Sequence, residues 1–170
     1  VSTPESRDLE ESKVCEGERI PALILICGAP CTGKTTLGKR IAKDLRFPFI
    51  SKDDVKEVLF DRLGWQDREW SRRLSLASFD ILYYILDAHL QVGRSSVVEA
   101  NFRPPWATQR FRALKSRYNF VPIQIFLKAD TPVILDRFKR RAASGQRHPG
   151  HVDDVYAEAL PETLGDYRPL

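Results

Sequence analysis

Residues 22–40 constrain the chain most. They read Ala-Leu-Ile-Leu-Ile-Cys-Gly-Ala-Pro-Cys-Thr-Gly-Lys-Thr-Thr-Leu-Gly-Lys-Arg. The apolar run 22–27 is short and β-prone, so it predicts a buried strand. Gly28-x-x-x-x-Gly33-Lys34-Thr35 follows, a full match to a phosphate-binding loop. Beyond it, Leu37, Ile41, Ala42 and Leu45 recur at helical spacing. The two glycines let the backbone turn tightly and bring its N–H groups close to oxygen atoms. The helix N-terminus adds a partial positive charge and unpaired donors. Gly28, Ala29, Pro30, Cys31, Thr32, Gly33, Lys34, Thr35 and Thr36 therefore form the candidate nucleotide cradle. Within it, Lys34 is expected to reach the β- and γ-phosphates and the Thr35 hydroxyl to ligate Mg²⁺.

A chain of 170 residues, 42% hydrophobic and 29% charged, fits one globular domain with a sizeable core. No apolar run approaches the length of a membrane span or resembles a secretion signal. Cys15, Cys27 and Cys31 are odd in number and not in metal-ligand spacing, which argues against disulfides and for a cytoplasmic setting. The net charge of +4 suits a protein that handles phosphates, and no long basic patch with interleaved aromatics marks a nucleic-acid surface.

Residues 1–19 are polar and charged and read as a disordered tail or leader, leaving 20–170 as the domain. A short second strand is expected at 47–50. Ser51-Lys52-Asp53-Asp54 then opens a helix to about residue 63, where the acids either cap the helix or face the transferring phosphate. Ligands of open α/β sheets bind at the C-terminal strand edge, which favours the second reading for one of them. A longer helix is expected from about 67 to 92, with Trp70, Leu74, Ala77, Ile81, Leu82, Ile85, Leu86 and Leu90 mostly in the core. Arg68, Arg72 and Arg73, near its start, face solvent or an anionic substrate.

Residues 95–100 predict the third strand, with the acid Glu99 near its C-terminal end, followed by Asn101, Phe102 and Arg103. An acid there either helps hold Mg²⁺ or orients the substrate, or belongs to a simple strand-end turn. A helix over 106–118, a fourth strand over 121–127 and a helix over 133–143 complete the pattern. That last helix carries Arg137 and Arg141 and runs into a polar Gly/Pro loop at 144–151, which reads either as a lid closing over phosphates or as a solvated charged face. His148 and His151 are expected on the lid surface, and 153–160 as one more helix. Nothing after residue 160 reads as a strand.

These residues resemble the P-loop kinases that phosphorylate hydroxyl groups, within them the polynucleotide kinase, zeta-toxin and chloramphenicol phosphotransferase group, often described as kinases with an AAA-type ATP-binding domain. The likeness covers about residues 20–161. It rests on the phosphate loop, on Lys52-Asp53-Asp54-Val55-Lys56, on Val98-Glu99-Ala100-Asn101-Phe102 and on Arg137-x-x-x-Arg141. The resemblance implies that Asp53 is the general base. It also implies that Lys56 stands where relatives carry an arginine, that Glu99 replaces a more usual Asp, and that Arg137 and Arg141 are lid arginines. Such kinases have a fifth strand, which this pattern lacks.

The expected fold is a three-layer α/β P-loop domain with a parallel sheet and a lid. The expected activity is ATP- and Mg²⁺-dependent transfer of the γ-phosphoryl group to a hydroxyl of a small molecule. Lys34, Asp53, Arg137 and Arg141 are the catalytic candidates, Thr35 and Glu99 the metal ligands. Asp53, Lys56, Asn101 and Arg103 are expected at the substrate. A polynucleotide 5′-hydroxyl kinase and a nucleotide-binding regulatory module with little turnover are the alternatives.

Overall fold

A computed structural model describes residues 20–145, 147–153 and 160–170. The expected leader at 1–19 and most of the expected helix at 153–160 lie outside the described residues. The elements run β1 (Ala22–Gly28), α1 (Lys34–Leu45), β2 (Phe49–Ser51), α2 (Lys52–Leu63), α3 (Arg68–Gln91), β3 (Ser96–Glu99), α4 (Trp106–Arg117), β4 (Val121–Leu127) and α5 (Thr131–Ala143), with short 3₁₀ turns at Pro149–His151 and Leu164–Asp166. The four strands pair in parallel in the order β2-β3-β1-β4.

Strand β1 is apolar at every position because both its faces are covered. Leu23, Leu25 and Cys27 point into a core shared with Leu82, Leu86 and Leu90 of α3 and Ala107 and Leu114 of α4. Ile24 and Ile26 point the other way, onto Ala42 of α1 and Val97 of β3. This period-two division makes three layers of one sheet and its helices. An aromatic group, Phe79, Tyr83, Phe102 and Phe111, fills the α3–α4 side with ring centroids 5.2–6.5 Å apart. Strand β4 forms one edge of the sheet, with Val121 and Ile123 exposed.

Two expectations change here. Ile81 is exposed, and Ser71 and Ser78 take buried places in the α3 stripe instead. Ser78 is accommodated because its hydroxyl donates to the Leu74 carbonyl at 2.6 Å, so it carries no unsatisfied donor inside. His151 is buried rather than on the lid surface. Cys27 and Cys31 are free thiols, and no helix among the described residues is long and apolar enough to cross a membrane.

Parallel pairing fixes the geometry of the site. Ile26 and Ser51 both stand in register with Glu99. The C-terminal ends of β1, β2 and β3 therefore deliver the phosphate loop, the start of α2 and a carboxylate to one edge.

Candidate active site

At the end of β1 the chain turns at Gly28, φ 138°, where a Cβ would run into the Leu127 carbonyl of β4. Only glycine meets both demands. The loop closes on Gly33, the α1 N-cap, whose helix start is left without a side-chain cap. Its free N–H donors and dipole make that end an anion site. Two loop side chains fold back on the Ala29 carbonyl, Thr32 Oγ1 donating at 2.9 Å and Lys34 Nζ at 2.8 Å. Burial pushes the Lys34 ammonium below its ordinary pKa, with the Glu99 carboxylate opposing.

Glu99 is 5% exposed. Its Oε2 accepts from Ser51 Oγ at 3.1 Å and Thr35 Oγ1 at 3.2 Å, and its Oε1 lies 3.8 Å from Lys34 Nζ. Burial raises its pKa, the charge of Lys34 working against that. The convergence of the Thr35 hydroxyl and the Glu99 carboxylate suits a small hard cation. Among the described residues no cluster of three His, Cys, Asp or Glu is found.

Across the loop, Ser51 caps α2 by accepting from the Asp54 N–H at 3.4 Å, which leaves Asp53 in the first turn with its side chain free to turn into the site. Asp53 Oδ1 pairs with Lys52 Nζ at 2.9 Å, and Oδ2 with Arg147 Nη2 at 2.7 Å. Burial alone would raise this carboxyl, but the charges of Lys52 and Arg147 outweigh it and hold it well below the usual carboxylate range. One turn on, Lys56 is buried and donates to Ser71 Oγ at 2.8 Å, which in turn donates to the Gly150 carbonyl at 2.8 Å. Burial, with the charge of Lys52 beside it, brings the Lys56 ammonium down to about 7.

The lid comes from α5 and the segment after it. Arg137 donates to the Cys31 carbonyl of the loop at 3.2 Å, and Arg141 pairs with Asp153 at 3.3 Å. The 3₁₀ turn docks on α2. Gly150 lies flat on the Phe60 ring, which His148 stacks at 5.0 Å and His151 meets edge-on at 5.4 Å. His151 Nε2 donates to Glu57 Oε1 at 2.9 Å, while its Nδ1 accepts from Arg147 at 2.9 Å. This assignment of partners describes a neutral ring protonated at Nε2. Burial, then the charge of Arg147, pushes its pKa down to about 3.

A cavity of about 760 Å³ joins these parts, with Lys34, Thr35, Asp53, Lys56, Glu99, Asn101, Arg103, Arg137, Arg141 and Arg147 in its wall. The family model of the AAA domain (AAA_33) matches residues 23–167. The chain belongs to this AAA domain family.

This AAA domain is similar to a protein from Chloroflexus aurantiacus J-10-fl whose crystal structure is described as that of a "putative kinase". The two share 44% identity over 89% of this chain and 83% of that chain, with a TM-score of 0.81. The Pnkp1/Rnl/Hen1 RNA repair complex shares its fold, at 16% identity and TM-score 0.59, over 89% of this chain and 48% of that chain. So does a sugar kinase from Janibacter sp. HTCC2649, at 16% identity and TM-score 0.52, over 89% and 79%. No curated protein sequence matches this AAA domain. The fold is that of a P-loop kinase-like domain.

Of the residues singled out in the sequence, Pro30, Cys31, Gly33 and Thr36 of this AAA domain also line the main cavity. Ala29 and Thr32 instead border a second cavity of about 290 Å³, beside Phe126 and Tyr167. Arg103 turns to Asp166 at 3.1 Å and the Tyr167 hydroxyl at 2.9 Å. Sequence reasoning missed Arg147, Asp153 and the buried role of His151. The only available signal was their place in or beside the Gly/Pro loop, which says nothing about what each touches.

Proposed function

We propose that this AAA domain moves the γ-phosphoryl group of ATP onto a hydroxyl of a small molecule. The observation that carries the reading is a single cavity with the phosphate loop on one wall and Asp53 on another. A triphosphate tail lying on the loop amides and Lys34 presents its last phosphorus toward Asp53. An acceptor hydroxyl on Asp53 is then poised for in-line attack. A bond forms from the hydroxyl oxygen to the γ-phosphorus as the bond to the β,γ-bridging oxygen breaks. ADP leaves with that oxygen, and the hydroxyl proton passes to Asp53.

The transferring group develops little new bonding and much exposed charge, so positioning and charge stabilisation carry most of the work. Lys34, Arg137 and Arg141 supply the charge. Asp53 orients the hydroxyl and accepts its proton late, which suits a carboxylate of low pKa. Mg²⁺ held by Thr35 and Glu99 would neutralise the β- and γ-phosphate oxygens. Lys56, Asn101 and Arg103 border the acceptor.

The test is a screen of hydroxyl compounds by ADP release, with the product identified by mass. Lys34→Ala abolishes transfer. Asp53→Asn lowers turnover about 10²- to 10⁴-fold, the range of general acid–base catalysis, without weakening nucleotide binding. A fully active Asp53→Asn enzyme ends the assignment of Asp53 as base.

A further inference from the structure

Arg147 holds three partners at once. Its Nη2 meets Asp53 Oδ2 at 2.7 Å and His151 Nδ1 at 2.9 Å, and its Nη1 lies 3.5 Å from Asp153 Oδ2. Its side chain is 18% exposed and lies in the wall of the cavity that also holds Lys34, Arg137 and Arg141. Those other cations are engaged elsewhere: Lys34 with Ala29 and Glu99, Arg137 with Cys31, and Arg141 with Asp153. Lys52 and Arg147 are thus the cations bonded to the candidate base, and Arg147 alone of the two belongs to the lid. A guanidinium fork matches phosphate oxygens as well as it matches a carboxylate.

We propose that Arg147 couples the two halves of the site: it stays on Asp53 until a nucleotide phosphate takes its guanidinium, so the acceptor meets a released Asp53 only after the nucleotide has bound. The proposal rests on the kinase reading above. It makes Arg147 a positioning residue acting through Asp53. It also gives the reaction an order, nucleotide first and acceptor second, which limits futile occupation of the acceptor side.

The coupling has a thermodynamic signature. Nucleotide binding must break the Arg147–Asp53 pair, so the affinity measured on the unliganded protein is reduced by the fraction of molecules in which Arg147 is released. Removing the Asp53 charge frees Arg147 in advance. It therefore tightens nucleotide binding, and only while Arg147 is present.

The experiment is a double-mutant cycle on the full chain. The probe is the Mg²⁺ complex of the β,γ-imido analogue of ATP, and its binding is measured by calorimetry. Asp53→Asn tightens the analogue roughly tenfold in the Arg147 protein and leaves it unchanged in Arg147→Ala, the size following from the competent fraction. Arg147→Lys, which keeps the charge and places less demand on lid folding, retains part of the tightening. Equal tightening in both backgrounds reduces the effect to simple charge repulsion and overturns the coupling, as does no tightening in the Arg147 protein. If the analogue binds none of the proteins, the kinase reading falls and takes the coupling with it.

Discussion

Replacing Gly150 by alanine tests how the lid is seated. A Cβ built on Gly150 stands 2.7, 2.8 and 2.8 Å from Cγ, Cδ1 and Cδ2 of Phe60, where ordinary contact begins at 3.4 Å. Something must therefore withdraw by about 0.7 Å. The ring cannot. Phe60 is 1% exposed, with His148 stacked on it, His151 at its edge and the Lys56 ammonium 5.0 Å from its centroid. The 3₁₀ turn has to lift instead, giving up the Ser71–Gly150 hydrogen bond and the His151–Glu57 contact.

Overpacking of this kind costs about 1–3 kcal/mol, and that corresponds to an opening equilibrium shifted about 5- to 150-fold. The penalty falls on lid docking rather than on the main core, so global stability changes by no more than the docking energy itself. Trypsin reads the opening directly. Cleavage after Arg147 requires the segment to leave its partners, and in the fast-reclosing regime its rate follows the open population. We expect cleavage at Arg147 to accelerate by that factor in Gly150→Ala, with turnover falling alongside. Cleavage within twofold of wild type, with unchanged turnover, would refute the claim that the lid sits on Phe60.

Two further outcomes follow, one from the lid and one from the core. His151 accepts at Nδ1 and is held near 3 in the docked lid against 6.5 when free. A depressed histidine pKa means that the open state takes up a proton the docked state refuses, so docking weakens as pH falls from 6.5 toward 3, by at most about 1.4 kcal/mol per pH unit. Imidazole NMR should find His151 neutral at pH 5, and a midpoint near 6.5 would contradict the assignment. Phe102 is 1% exposed between Phe79, Tyr83 and Phe111. Phe102→Ala should cost about 3–5 kcal/mol in urea unfolding, and a loss below 1 kcal/mol would show that the aromatic group is not a packed unit.

The fold was legible wherever local chemistry and tertiary demand agree. The run 22–27 is apolar on both faces because both are covered, and Asp67 caps the start of α3, where the longer helix was expected to begin. Ile81 misled because a helical stripe is wider in sequence than the surface a neighbour covers. α3 buries Ser71, which bonds Lys56 of α2 and Gly150 of the lid, and Ser78, and leaves Ile81 outside. At the site, the placement of the loop, Asp53 and Glu99 around one cavity could be read because each sits at a strand end whose position the motif fixes. Arg147 and His151 could not. Their partners, Asp53 and Glu57, are each 94 residues away in the chain, and a Gly/Pro loop has no periodicity that reports which side chain turns inward.

The central claim is that the amides of the loop from Gly28 to Thr35, with Lys34, cradle a triphosphate. Backbone NMR with the Mg²⁺ complex of the imido analogue tests it most directly. The account predicts large shifts confined to the loop amides, the start of α1 and the lid around Arg147, all lost in Lys34→Ala. Saturable binding that leaves those amides unmoved would contradict it.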